Sequence, residues 1–171
     1  LDKLTMMVEK LLETATLDGD DLALNKEEIN LNEILENLVQ KHQTLAPEKS
    51  IRFTALRENN WILGDAFHLD NALNNLLDNA VKYGGDSIEV TLNSRNGSYR
   101  ILVSDSGTSL SKAEAKQIFE KFYRVPKGNT HDVKGFGIGL YYTQKIIEKH
   151  GGSIDVSVTS QTTFKIDLPN A

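Results

Sequence analysis

The 171 residues suffice for one domain with a sizeable core, and 39% hydrophobic with 25% charged residues is typical of a globular chain. A net charge of −5 excludes bulk binding to nucleic acid, so a polyphosphate ligand would need a local positive site. The absence of Cys excludes a disulfide framework and a thiolate metal centre, and no apolar run approaches the length of a membrane-spanning helix.

The first residues carry the spacing of a coiled-coil seam. Apolar side chains recur in alternating steps of three and four at Leu1, Leu4, Val8, Leu11 and Ala15. Two heptads are too short for an independent coiled coil, so this helix is expected to pack either on a second helix or on its own domain. The polar residues 18–27 predict a linker, and the start at Leu1 rather than Met leads us to expect a piece of a longer protein.

The next segment is expected to alternate short strands with one helix. Residues 28–31 predict a strand, and Asn32 is expected to cap a helix that ends before Pro47. Apolar and polar residues alternate over 51–56, and a short strand is expected over 61–63 after a turn.

A long amphipathic helix is predicted over residues 65–83. Its apolar residues fall in one arc about 100° wide: Leu69, Leu73, Leu76, Leu77 and Ala80. Asp65 is a suitable cap for its start, and Gly84-Gly85 ends the pattern. Three other polar residues of this helix are expected to face water: Asp70, Asn74 and Asp78.

A polar cluster lies beside that apolar arc and contains Asn75, Asn79 and Lys82, with Tyr83 between the cluster and the arc. Asn is a poor helix former, so two of them one turn apart invite a functional explanation. Two carboxamide oxygens, a cation and an aromatic ring suit a metal ion, a phosphate and a flat base. A solvated edge that happens to be rich in Asn explains the same pattern equally well on this helix alone.

The second half of the chain predicts two antiparallel strand pairs. Strands over 87–94 and 99–104 flank Asn96-Gly97, which is a hairpin signal, and strands over 153–158 and 162–168 form the last pair.

Between these pairs the sequence predicts a short helix, a loop and a Gly-rich turn. Ser111 is expected to cap a helix carrying three core residues: Ile118, Phe119 and Phe122. The polar loop 126–134 is expected to be a mobile lid, and residues 135–140 open a helix that reaches His150. No strand is predicted directly before the glycines, which argues against a dinucleotide-binding turn. The four His residues lack paired metal-ligand spacing, and each is expected to be structural or solvent-facing: His42, His68, His131 and His150.

Four motifs follow one another in a fixed order: NNLLDNAVKY (74–83), DSG (105–107), IFEKFYRV (118–125) and GFGIGL (135–140). Together they resemble the Asn box, first Gly box, Phe box and second Gly box of the catalytic, ATP-binding domain of sensor histidine kinases. That family shares a superfamily with gyrase, MutL and a heat-shock chaperone. The resemblance implies an α/β two-layer sandwich, in which a mixed, mainly antiparallel sheet packs on helices.

The resemblance also implies a site for ATP and Mg²⁺ between the central helix, the Asp105 loop, the lid and the Gly-rich turn. Asn79, assisted by Asn75, would bind Mg²⁺, while Lys82 and Arg124 would contact phosphate oxygens. The Asp105 carboxylate would accept a hydrogen bond from the amino group of adenine. The other implied nucleotide-binding residues are Tyr83, Gly107, Gly135, Gly137, Ile138, Gly139, Leu140 and Thr163.

The implied reaction is transfer of the γ-phosphate to a histidine on a separate dimerisation domain, with Asn75 and Arg124 as catalytic residues. ATP-hydrolysing relatives place a Glu at the position of Asn75, and a carboxamide cannot take a proton from water. Residues 1–17 would end the dimerising hairpin, 18–27 would be the linker, and 28–171 the catalytic domain. The implied context is a cytoplasmic location for this domain, a homodimeric parent protein that is either cytoplasmic or membrane-anchored, and a downstream response regulator. An ATPase of the same superfamily and a non-catalytic binding module stay open as alternatives.

Overall fold

A computed structural model of the chain describes residues 4, 5, 8, 22–107, 110–120, 123 and 139–170. Leu4, Thr5 and Val8 are helical, and Leu4 and Val8 are exposed. The rest of the predicted N-terminal seam and the first part of the linker lie outside the described residues. Within the described ranges, no helix has both the length and the apolar character needed to cross a membrane.

Seven strands form a large sheet and a small one. The large sheet has the order β2-β4-β5-β7-β6, and β1 pairs with β3 in a separate two-stranded sheet. In the large sheet β2 runs parallel to β4, while the other neighbours are antiparallel. This confirms the mixed, mainly antiparallel sheet. The strands are β1 Glu27–Asn30, β2 Ser50–Ala55, β3 Trp61–Gly64, β4 Ser87–Arg95, β5 Ser98–Asp105, β6 Ser153–Val158 and β7 Thr162–Pro169.

Helices cover one face of the large sheet. In β5 and β7 alternate residues are buried, and these residues join the leucines of the long helix in one apolar core. The opposite face carries polar residues such as Arg100 and Asp167, which form a two-point ion pair. In the described part of the chain the helices of the domain are α1 Leu31–Leu45, α2 Ala66–Tyr83, α3 Lys112–Ala115 and α4 Gly139–Lys149.

Helix α2 is the predicted central helix, and both of its ends are fixed as expected. The Asp65 side chain caps its start by accepting the His68 N–H at 3.1 Å, and Gly84 follows its last residue. Its apolar arc is almost fully buried, because α1 packs on one flank and α4 on the other. The Thr143 hydroxyl of α4 donates to the Ala72 carbonyl at 3.0 Å, which fixes how α4 lies against α2.

Helix α1 begins earlier than the sequence predicted. The cap is Asn30 rather than Asn32, because Leu31 is fully buried and already belongs to the first turn. The Asn30 side chain accepts the Asn32 N–H at 3.2 Å. Asn32 is buried instead, and its side chain donates to the Arg57 carbonyl at 2.7 Å and accepts from Asn60 at 2.7 Å. Asn32 therefore ties α1 to the turn before β3.

Two further expectations were wrong. Helix α3 ends at Ala115, so Ile118 and Phe119 lie in turns beyond it, although both still pack against the core. Phe119 meets Phe164 edge-on, with ring centres 6.1 Å apart. Asn74 does not simply face water, because its oxygen accepts hydrogen bonds from His42 at 2.9 Å and from Lys41 at 3.2 Å. The reason is that α1 packs over that side of α2.

Candidate nucleotide-binding site

The centre of the site is the buried carboxylate of Asp105 at the end of β5. Its Oδ1 accepts hydrogen bonds from the Gly107 N–H at 2.7 Å and the Gly85 N–H at 3.3 Å. Within the described ranges Oδ2 carries no hydrogen bond, so it keeps its full accepting capacity. Asp105 is 5% exposed, and burial raises the pKa of its carboxyl while the two amides and the positive charge of Lys49 act in the opposite direction.

Glycines let two chain segments meet backbone to backbone around this carboxylate. A Cβ on Gly84 would lie 2.6 Å from the Asp105 Cγ, and a Cβ on Gly107 would lie 2.8 Å from the Gly85 nitrogen. Side chains at either position would force the segment after α2 away from the end of β5. The contact between Asp105 and the Gly85 amide therefore depends on these glycines.

The strand beside Asp105 presents Thr162, not the expected Thr163, on the same face. Thr162 is the direct partner of Asp105 across β5 and β7, and its hydroxyl donates to the Gly107 carbonyl at 3.1 Å. Thr163 lies on the other face of the sheet, where its hydroxyl is 3.0 Å from that of Ser104. Because neighbouring strand residues point to opposite faces, Thr162, and not Thr163, shares the face of Asp105.

The polar cluster of α2 lies between this carboxylate and the start of α4. The Asn75 Nδ2 donates to the Gly139 carbonyl at 3.3 Å, so the amide orientation leaves its oxygen as the remaining acceptor. Asn79 is half-buried one turn further along. Lys82 forms an ion pair with Asp78 at 2.8 Å, but both side chains are more than 40% exposed, so this pair is weak and exchangeable.

The structure describes only some of the remaining predicted site residues. Tyr83 is half-buried at the last position of α2, and Gly139 and Leu140 are half-buried at the first two positions of α4. Outside the described residues lie the lid 126–134 and Phe122, Arg124, His131, Gly135, Gly137 and Ile138.

The described histidines all have structural partners. His42 donates to Asn74, and the His68 Nδ1 is 2.8 Å from the Tyr142 hydroxyl. His150 is buried, accepts the Asp65 N–H at Nε2 and donates from Nδ1 to the Ile146 carbonyl, so it is the neutral tautomer. Within the described ranges, His, Cys, Asp and Glu side chains form no cluster of three that suits a metal ion.

The family described as histidine kinase-, DNA gyrase B- and HSP90-like ATPases matches residues 64–171. The chain belongs to this family. Over 98% of its length it is 36% identical to the sensor protein RprX of Bacteroides fragilis, of which it covers 34%. The chain thus spans about a third of that relative.

Solved structures share the fold of this ATPase family. Full-length ShkA in complex with AMPPNP matches with a TM-score of 0.85 at 23% identity, over 98% of this chain and 36% of that one. The histidine kinase ThkA, in complex with the response regulator protein TrrA, matches with a TM-score of 0.78 at 22% identity, over 99% and 48%. The predicted α/β sandwich and the resemblance to histidine kinases are both confirmed.

One residue at the candidate site is not predicted by the sequence analysis. Lys49 follows α1, and its Nζ donates to the Gly84 carbonyl at 3.3 Å and the Gly85 carbonyl at 3.1 Å. No local pattern points to it, since these carbonyls are 35 and 36 residues away. Thr162, by contrast, was within reach of sequence reasoning, because pairing the predicted strands in register places it opposite Asp105.

Proposed function

We propose that this chain binds Mg-ATP and donates the γ-phosphate to a histidine on a separate dimerisation domain. The observation that carries the proposal is the Asp105 carboxylate, whose Oδ1 is held by two amides and whose Oδ2 carries no hydrogen bond within the described residues. An ionised acceptor of this kind suits the amino group of adenine. The carbonyl of guanine would instead place a second acceptor against the Asp105 carboxylate, which would weaken GTP binding by about 1–3 kcal/mol.

The α2 polar cluster supports a place for the metal and the phosphates. Asn79 and the oxygen of Asn75 supply neutral oxygen donors one turn apart, and Mg²⁺ prefers oxygen ligands while keeping several waters. Bound there, Mg²⁺ would neutralise charge on the phosphate oxygens. Lys82 would exchange its exposed partner Asp78 for a phosphate, since that ion pair is weak. Arg124 is proposed as the second cation from the sequence alone.

Asn75 supports phosphotransfer over hydrolysis. A carboxamide has no basic pair of electrons for a water proton, so efficient activation of water at this position is disfavoured. In the proposed reaction the bond between the γ-phosphorus and the bridging oxygen of ADP breaks, and a bond to an imidazole nitrogen forms. The imidazole loses its proton to a base, which the acceptor domain is proposed to supply. The ATP-binding domain described here is proposed to contribute positioning of the reactants and stabilisation of the developing charge.

The partners follow from the same reaction. The acceptor histidine is proposed to lie on the dimerisation domain of the parent protein, which would be a cytoplasmic or membrane-anchored homodimer. Residues 1–17 are proposed to be the end of that domain's helical hairpin, and 18–27 the linker. A response regulator is the proposed recipient of the phosphate.

The test is incubation of this chain with γ-labelled ATP and Mg²⁺, alone and with the dimerisation domain of its own parent protein. Alone, the chain should bind ATP, hydrolyse it slowly and incorporate no acid-labile phosphate. With the dimerisation domain, acid-labile label should appear on a histidine there, and replacing that histidine by Gln should remove it.

Each alternative has its own outcome in this experiment. Fast steady-state hydrolysis of ATP by the isolated chain would contradict the kinase proposal and support an ATPase activity. A thermal melt that Mg-ATP leaves unshifted would point to a module without nucleotide binding. Stoichiometric label on His42, His68, His131 or His150 would overturn the placement of the acceptor on another domain.

A further inference from the structure

Lys49 reaches the end of α2 from the loop between α1 and β2. Its Nζ donates to the carbonyls of Gly84 and Gly85 at 3.3 and 3.1 Å. These carbonyls lie at the negative end of the α2 dipole, where a cation is stabilised. Lys49 is half-buried, so its charge is screened less by water than that of an exposed lysine.

A single peptide unit joins this lysine to the carboxylate of Asp105. The carbonyl of Gly84 and the N–H of Gly85 are the two ends of one planar amide. The carbonyl end accepts from Lys49, and the N–H end donates to the Asp105 Oδ1 at 3.3 Å. A cation at the oxygen and an anion at the N–H polarise the amide in the same sense, so each bond strengthens the other.

The loop that carries Lys49 is itself held in place. The Gln43 side chain of α1 donates to the Lys49 carbonyl at 2.7 Å and to the Ala46 carbonyl at 3.3 Å. Its oxygen accepts the Ile51 N–H at 2.9 Å, at the start of β2. The backbone of Lys49 is therefore fixed relative to both α1 and the sheet, which distinguishes this lysine from a mobile surface cation.

We propose that Lys49 is a positioning residue for adenine recognition, acting on Asp105 through the Gly84–Gly85 peptide unit. This inference rests on the proposed function, in which the Asp105 Oδ2 accepts the adenine amino group. Lys49 fixes the amide that holds Oδ1, and thereby directs Oδ2 towards the base. Within the described residues it is also the charged side chain that favours the ionised form of Asp105 against burial.

The test compares Lys49→Met, which keeps the length and removes the charge, with Lys49→Arg and Arg52→Met. Arg52 lies three residues further on and is exposed on the outer face of the sheet, so Arg52→Met is the control for loss of one positive charge. Calorimetry should show ATP binding weakened roughly tenfold in Lys49→Met, with GTP binding unchanged. Lys49→Arg should bind ATP with the affinity of the wild type, and Arg52→Met should leave the affinities for ATP and GTP unchanged.

A double-mutant cycle identifies the route of the effect. In an Asp105→Asn background, Lys49→Met should cause no further loss of ATP affinity, because the side chain that Lys49 positions no longer offers an acceptor to the adenine amino group. An equal loss in both backgrounds, or equal loss of ATP and GTP binding, would overturn the relay through Asp105. Should Lys49→Met fail to fold in a thermal melt, Lys49→Gln retains a donor without the charge and carries the same comparison.

The outcomes also separate this inference from the proposed function. Full ATP affinity in a folded Lys49→Met, together with weakened binding in Asp105→Asn, would reject the role of Lys49 and leave nucleotide recognition by Asp105 intact. A wild-type chain that binds no adenine nucleotide would reject both.

Discussion

Replacing Asp105 by Asn tests adenine recognition with almost no change in shape. The Gly85 and Gly107 N–H groups require an acceptor at Oδ1, so the Asn oxygen takes that position and its NH₂ group takes the place of Oδ2. In the variant, a donor faces the amino group of adenine. Loss of a hydrogen bond to a charged group costs about 1.5–3 kcal/mol, which corresponds to roughly 10- to 150-fold weaker ATP binding.

The same substitution should improve the match to guanine. The new NH₂ group faces the carbonyl of GTP, and a neutral hydrogen bond contributes about 0.5–1.5 kcal/mol. The preference for ATP over GTP should therefore fall by at least about thirtyfold, from both changes together. Calorimetric titration of wild type and Asp105→Asn with each nucleotide measures this ratio.

Stability separates a binding defect from unfolding. Burial raises the pKa of Asp105, so this group stabilises the fold at low pH and loses that contribution as the pH rises and the buried carboxyl ionises. At neutral pH, Asp105→Asn removes the cost of a buried charge and keeps both amide bonds. Its melting temperature should thus be at least that of wild type. Equal losses of ATP and GTP affinity, or an unchanged ATP preference, would refute the reasoning.

Two further predictions concern the proposed metal site and the buried histidine. Asn79→Ala should weaken ATP binding by about 1–3 kcal/mol when Mg²⁺ is present and much less without it; equal losses in titrations with and without Mg²⁺ would contradict a role in metal binding. Burial lowers the pKa of His150, so the chain should be fully stable above the ordinary value of about 6.5 and lose stability as the pH falls below it. Urea unfolding between about pH 7.5 and 5 measures this, and His150→Gln should flatten the profile; parallel profiles for variant and wild type would exclude His150 as the cause.

Local patterns predicted the parts of the fold that local physics determines. The apolar arc of α2, its Asp65 cap and the Asn96-Gly97 hairpin all depend on residues within one or two turns of each other, and all three are confirmed. Asn96 and Gly97 both have positive φ, as the hairpin turn requires.

The remaining features depend on distant parts of the chain. The sequence predicts Asn32 as the cap of α1, but Leu31 is buried in the first turn of the helix, and the cap is Asn30. Asn74 was assigned to water because nothing near it in the sequence shows that α1 covers it. Lys49 donates to a carbonyl at the end of another helix, and this contact exists only in the packed fold.

The residues around Asp105 come from segments that are far apart in the sequence. Asp105 is contacted from the end of α2, and its neighbour Gly107 is bonded by Thr162, which is 55 positions away. Strand β5 can pair with β4 through a tight hairpin, whereas pairing with β7 requires closure of a long loop. The completed pocket therefore exists only after the last strand has joined the sheet. A nucleotide bound there, as proposed, would stabilise the whole cooperative unit, so nucleotide affinity would report that the chain has finished folding.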